Sequence, residues 1–314
     1  MAENHPDKNL QNNPSVLITG GSGLIGKYLT SLLLAKGFKV SHLSRKASHF
    51  GKVRVFRWDP EKEILDPAVF DGINYIVHLA GANIGEKRWS EKRKVLINSS
   101  RVGSSRLLYK IISENNFPVK AFISASAAGY YGSVTCEKIF SENDPPATDF
   151  LGSVCSQWEE PAEQFKENGI RSVIIRTAVV LEKTDSALSK LMMPGKYGFL
   201  VQAGSGRQYM PWIHINDLCN IYLKAISDSE MNGAYNAVSP QHVTHSEFMK
   251  TLAHVMKGKF IFPPVPGFIL KTVLGEMSDV ILKGSRVSSE KVRNSGYTFR
   301  YDNLKEALQN VIYG

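Results

Sequence analysis

Apolar positions along the chain fall into two alternating rhythms. After a polar opening, VLIT follows Ser15 as a continuous apolar run, the glycine-rich GGSGLIG comes next, and Leu29, Leu32 and Leu33 then recur at helical spacing before Gly37. A second short run, FKVSHLS, follows, so the order is strand, glycine turn, helix, strand. The alternation continues through VRVFRW at 53–58, INYIVHLAG at 73–81, a helical stretch around 90–114, KAFISAS at 120–126, a helix near 153–168 and RSVIIRTAVVL at 171–181. Strands that are apolar throughout, rather than at every second residue, are covered on both faces, and strands that alternate with helices make a parallel sheet. Right-handed crossovers then predict an α/β fold of the Rossmann type, a doubly wound parallel sheet.

Past residue 182 the alternation weakens and glycine and proline become frequent, as in MMPGKYGF, QAGSGRQYMP and FPPVPGF. The expected organisation is a flexible arm over 1–13, a dinucleotide-binding domain over 14–181 and a smaller C-terminal substrate lobe over 182–314. Within that lobe WIHINDLCNIYLKAI reads as a loop entering a helix and GAYNAVS as a short strand, a partial return to the sheet over about 212–240.

The glycines of ITGGSGLIGKYL fall as Gly20-x-x-Gly23-x-x-Gly26, directly after a strand and at the opening of a helix. In that context one glycine makes the tight turn, one lets backbone N–H groups of Gly23, Leu24 and Ile25 approach a pyrophosphate, and one lets the helix pack on the strand. A site for NAD would place Asp or Glu at the end of the second strand to hold the ribose 2′-hydroxyl, whereas this chain has Ser44 and Arg45 there. A guanidinium pairs with a 2′-phosphate as a planar fork, which favours NADP(H) over NAD(H), the alternative being a solvated loop cation. Asp59, after the third strand, is placed to accept from an adenine amino group or else to form a turn before Pro60, and Leu79, Ala80 and Gly81 supply a small-residue strand end for the cofactor to lie on.

Composition narrows the partners. With 43% hydrophobic and 21% charged residues the 314-residue chain is globular in type. No run approaches the roughly 18 apolar residues of a spanning helix and the opening residues lack a signal-peptide core, so the expectation is a cytoplasmic protein with no membrane partner. Cys136, Cys155 and Cys219 have no paired spacing, and His242 and His245 have no neighbouring cysteine, so reduced thiols and no metal are expected. The formal charge of +9 is spread along the chain and interleaved with acids, which suits an anionic small molecule better than nucleic acid.

Seven stretches in order, VLITGGSGLIG, HLAGANIGEKRWSEKRK with Asn98-Ser-Ser-Arg101, SASAAGYYG, DFLGSVCSQWEEPA, GSGRQYMPWIHINDL, FPPVPGFILKTVLGEM and LKGSRVSSEKV, resemble the extended short-chain dehydrogenase/reductase superfamily. Within it they resemble the atypical nucleotide-sugar epimerase branch that carries a C-terminal domain of unknown function. The resemblance implies a nicotinamide cofactor, with Asn98 and Ser124 on its side of the cleft, and pairing of two chains through a four-helix interface. It also implies a catalytic Tyr and Lys four residues apart on a helix, with a Ser or Thr at the preceding strand end. Here the register puts Cys155 at the Tyr position, Glu159 at the Lys position and Ala127 at the strand end. A neighbouring carboxylate raises a thiol pKa, so Cys155 makes a poor base; Ser126, Tyr131 and Cys155 are the candidates that remain. For an anionic substrate, Arg207 and Arg286 are candidate clamps, His214 is either a ligand contact or a neighbour of a capping Asp217, and Arg88-Trp89 either stacks on the substrate or packs beneath a lid. Two function classes stay open: an NADP-dependent epimerase or oxidoreductase, and a catalytically silent dinucleotide-binding regulator or scaffold, which the resemblance links to cell division.

Overall fold

The computed structural model describes residues 13–45, 51, 53–258, 260–261 and 263–314, so the arm expected over 1–13 lies outside the described residues except for Asn13. The first half supplies β1 (Ser15–Thr19), α1 (Leu24–Ala35), β2 (Lys39–Ser44), β3 (Arg54–Asp59), β4 (Ile64–Leu65), β5 (Tyr75–His78), α2 (Glu91–Asn115), β6 (Ala121–Ala127), β7 (Ile139–Phe140), α3 (Phe150–Gln164) and β8 (Arg171–Thr177). The second supplies β9 (Val179–Leu181), α4 (Ala187–Met192), β10 (Gln202–Ala203), β11 (Trp212–His214), α5 (Ile215–Ser227), β12 (Gly233–Ala237), α6 (His245–Val255), β13 (Pro264–Val265), α7 (Gly267–Leu274), α8 (Asp279–Leu282), β14 (Arg286–Val287), α9 (Glu290–Asn294) and α10 (Leu304–Tyr313).

An eight-stranded sheet in the order β12-β8-β6-β5-β1-β2-β3-β4 forms the centre, and every pairing in it is parallel except β3 with β4. Four consecutive residues of β1, Val16 to Thr19, are fully buried because the sheet is covered on both faces. Val16 and Ile18 point into a core with Leu29, Leu33 and Tyr222, while Leu17 points the other way into a core with Phe70, Leu108 and Phe122. Each such side chain contributes about 1.5–3 kcal/mol of burial.

Two elements differ from expectation. The apolar run over 171–181 is two strands, because at Ala178 the chain changes partner: the Ala178 N–H donates to the Ala237 carbonyl and the Val179 N–H to that of Pro211. Residues 212–214, expected as loop, are that new partner, β11, which pairs with β9 and leads directly into α5. Helix α3 starts three residues earlier than its apolar spacing indicates because Asp149 caps it, accepting from the Gly152 N–H. A third core, holding Leu188, Trp212, Phe248 and Leu308, unites α4, β11, α6 and α10 beside the sheet.

Candidate functional site

The C-terminal ends of β1, β2 and β5 meet at the glycine turn. Gly20 has φ +70°, and a side chain there would strike the Leu79 carbonyl carbon at 2.9 Å, so the turn requires glycine. A Cβ on Gly26 would sit 2.4 Å from the Gly20 oxygen, inside the helix–strand contact. Gly23 is different: φ is −74°, and a Cβ would meet only the Gly20 oxygen, at 3.2 Å. Backbone geometry therefore does not demand glycine at that position. Gly23 is the N-cap of α1, no side chain among the described residues caps the helix there, and its first turn holds no acid, so its N–H groups and positive dipole end are free of a local acidic partner. These features fit the diphosphate of a dinucleotide.

Beneath the turn lies a buried polar chain. Thr19 Oγ1 accepts from the N–H groups of Leu79 and Ala80, both at 3.1 Å, and its hydrogen is then available for Nδ1 of His78 at 2.8 Å. Ser104 Oγ donates to the Ser100 carbonyl and stands 3.1 Å from His78 Nε2, so satisfying every group makes Nε2 the protonated nitrogen. Burial pushes the imidazole down to about 4, which keeps it neutral. Above it, Arg101 is buried: its Nη1 donates to the carbonyls of Ala82 and Ile97, and its guanidinium lies over the Trp158 ring. It forms no carboxylate pair among the described residues, and burial lowers it to about 10.

Next to Trp158 on α3, Glu159 forms a buried two-pronged ion pair with Arg176 of β8, at 2.8 and 2.9 Å. Ser126 Oγ donates to Glu159 at 2.6 Å, Arg176 Nη1 donates to the Tyr131 hydroxyl, and that hydroxyl donates to Asn236. Burial raises Tyr131 to about 12, and burial followed by the Glu159 charge raises the Cys155 thiol to about 12. Neither group ionises near neutral pH.

The model of the NAD dependent epimerase/dehydratase family matches residues 16–237, and a domain of unknown function (DUF1731) matches 265–311. The chain belongs to this epimerase family. The epimerase family protein YfhF of Bacillus subtilis is 34% identical over 306 residues, covering 95% of this chain and 98% of that one. Epimerase family protein ML0860 of Mycobacterium leprae is 32% identical over 298 residues, covering 93% and 94%. Among solved structures, human epimerase family protein SDR39U1 with NADPH superposes with a TM-score of 0.85 at 29% identity, covering 95% of this chain and 98% of that one. The nucleoside-diphosphate sugar epimerase from Corynebacterium glutamicum gives 0.78 at 30% identity, covering 96% of this chain and 59% of that one.

Within this family frame, the structure brings Gly20, Gly23, Leu24, Ile25, Gly26, Leu79, Ala80 and Gly81 together around the turn, with Ser44 and Arg45 at the adjacent end of β2. Asp59 stands two strands from β1, and its carboxylate accepts from the N–H groups of Glu61 and Lys62, the turn-forming role. Ser124 is fully buried inside β6, opposite His78 and short of the strand end, and Asn98 donates to Gln157 across α2 and α3.

Of the three acid–base candidates, Ser126 and Tyr131 are drawn into the Glu159–Arg176 network and Cys155 is buried beside it. His214 caps α5 through Nδ1, meets Asn310 through Nε2 and stacks on Tyr301, so both ring nitrogens are engaged inside the protein. Asp217 does not cap α5; it accepts from the Tyr297 hydroxyl and from the N–H groups of Arg300 and Tyr301, tying down the C-terminal segment. Trp89 packs on Phe150 and donates to the Ile84 carbonyl, leaving the exposed Arg88 of that pair beside Gly275. Arg286 pairs with Glu137 and lies over Tyr209, and Arg207 is exposed. Sequence reasoning missed the role of Arg176, although a cation inside the apolar run RSVIIRT signals a buried partner.

Proposed function

We propose that this chain is a cytoplasmic NADP(H)-binding member of the family that exchanges hydride with an anionic, nucleotide-sugar-like small molecule without a tyrosine base. The observation that carries the reading is the open cradle at Gly23, bounded by an uncapped helix end and with Arg45 at the neighbouring strand end. NADPH in the SDR39U1 structure supports it, as does the sugar nucleotide named for the Corynebacterium relative. When bound, the nicotinamide supplies the hydride chemistry. The chain's own residues bind and orient: the α1 N–H groups face the diphosphate, Arg45 faces the 2′-phosphate, and Arg101, a buried cation without a carboxylate partner, supplies positive potential beside Gly81. Residues 14–181 act as the dinucleotide-binding domain and 182–314 as the substrate lobe.

Calorimetry with NADPH and NADH tests this. NADPH is expected to bind more tightly by about tenfold or more, the worth of one charge-assisted fork, and Arg45→Asp to remove that preference. No saturable heat with either nucleotide rejects the proposal. A second reading, a silent dinucleotide-binding regulator, is favoured by the satisfied Ser126–Glu159–Arg176–Tyr131 network, which occupies the place of an acid–base dyad. Tight NADPH binding with no cofactor-linked turnover of any sugar nucleotide or aldehyde decides for it.

A further inference from the structure

Cations and acids interleave over much of the chain but not all of it: residues 8–58 hold nine Lys and Arg and no Asp or Glu, and two later stretches share that bias. Residues 186–216 and 248–275 together hold seven Lys and Arg and no Asp or Glu. They are distant in sequence and adjacent in space: β10 pairs with β13, and Phe199 bridges Ile261. Helix α7 begins two residues after β13 and has no buried residue.

The same stretches present large apolar side chains to solvent. Tyr197 is 78% exposed and Phe268 70%, with Phe199, Ile261, Ile269 and Val273 also exposed. Phe268, Ile269, Thr272 and Val273 recur at i, i+4 along α7, with Lys271 beside them. A stable monomer has no use for such a surface, and apolar side chains gain nothing from water.

We propose that this face docks on an anionic lipid surface, with the aromatic and aliphatic tips entering the headgroup boundary and the lysines pairing with lipid phosphates. A second copy of the chain is disfavoured because it would bring the same cationic stretches together. An acidic protein is disfavoured by composition: the exposed cations next to the apolar tips, Lys196 and Lys271, are both lysines, and protein interfaces select Arg and deplete Lys. Lys with aromatic and aliphatic neighbours is the pattern of peripheral membrane contact. No helix among the described residues is long and apolar enough to cross a membrane, which has no bearing on binding from one side.

The test is flotation of the full chain with phosphatidylcholine vesicles and with vesicles in which about a third of the lipid is phosphatidylglycerol. Binding is expected only with the anionic vesicles and is expected to weaken at 0.5 M salt, because such charges are screened. Phe268→Ser with Val273→Ser, and separately Lys196→Glu with Lys271→Glu, should each lower the partition coefficient by about tenfold or more, while Leu34→Ser with Ile64→Ser leaves it unchanged. All six positions are exposed, so the fold should tolerate these changes. Absence of flotation with anionic vesicles overturns the proposal. So does a concentration-dependent dimer in light scattering that the Phe268→Ser, Val273→Ser variant abolishes, since the face would then belong to a second copy.

Discussion

At Glu159 a single substitution relative to the family pattern changes what its neighbours can do. The position that the family implies for a lysine holds a carboxylate, and Arg176 reaches it from β8 with two hydrogen bonds. A buried pair of this kind is worth little net, but removing one partner strands a charge, at a cost of about 3–5 kcal/mol. Glu159→Gln is therefore expected to lower unfolding free energy by about that amount in urea titrations, and Glu159→Met with Arg176→Met to cost less than the two single changes summed. Glu159→Lys, which matches the family lysine by identity, should be at least as damaging, because it sets two cations together. A stable Glu159→Lys protein would show that Arg176 has another anchor. The glycine turn and Arg45 were legible in the sequence because a local motif with its strand-to-helix context specifies them. The Glu159–Arg176 pair was not, since 17 residues and two elements separate its members and no local pattern encodes their meeting.

Among the elements, legibility followed length and burial. β1, β5, β6 and β8 are apolar on both faces and were visible as runs, whereas β4, β7, β10, β13 and β14 have two residues each and exist only because distant segments lie alongside. β11 is three residues long with no period of its own, and β9 is what makes it a strand. The strand–turn–helix unit allows fold and ligand contact to be separated experimentally. Gly26→Ala places a Cβ 2.4 Å from the Gly20 oxygen and should destabilise the protein as a whole, by about 1–3 kcal/mol as for an overpacked core site. Gly23→Ala meets one atom at 3.2 Å with an ordinary φ, so it should fold normally by circular dichroism and yet bind NADPH more weakly by tenfold or more, about 1.4 kcal/mol. If Gly23→Ala binds NADPH like the parent chain, the diphosphate does not lie against Gly23.

For the molecule as a whole, buried histidines set the acid limit of stability. Burial lowers both His78 and His245 from 6.5 to about 4, and it lowers His42, His214 and His242 in the same direction. Below pH 6.5 the unfolded chain takes up protons that the folded chain refuses until about pH 4, so stability must fall as pH drops through that window. By pH 5 the linkage amounts to about 2 kcal/mol for each of His78 and His245. Carboxylates act in a lower window: Asp144, held down to about 2 by its hydrogen bond with Lys138, contributes stability above its unfolded pKa that is lost only as pH falls toward 2. Urea titrations at pH 7.5 and pH 5 should therefore differ by about 4 kcal/mol or more. His245 is the informative position, because its Nδ1 is buried with no hydrogen-bond partner among the described residues, so His245→Leu removes a titrating group without breaking a side-chain bond seen there. That variant should match the parent at pH 7.5 to within about 1.5 kcal/mol, the usual cost of an apolar swap in a core, and should lose about 2 kcal/mol less than the parent on going to pH 5. An unchanged difference between the two pH values would mean that the His245 ring is already protonated in the folded protein, and the acid limit would then lie with His78 and the strand network around it.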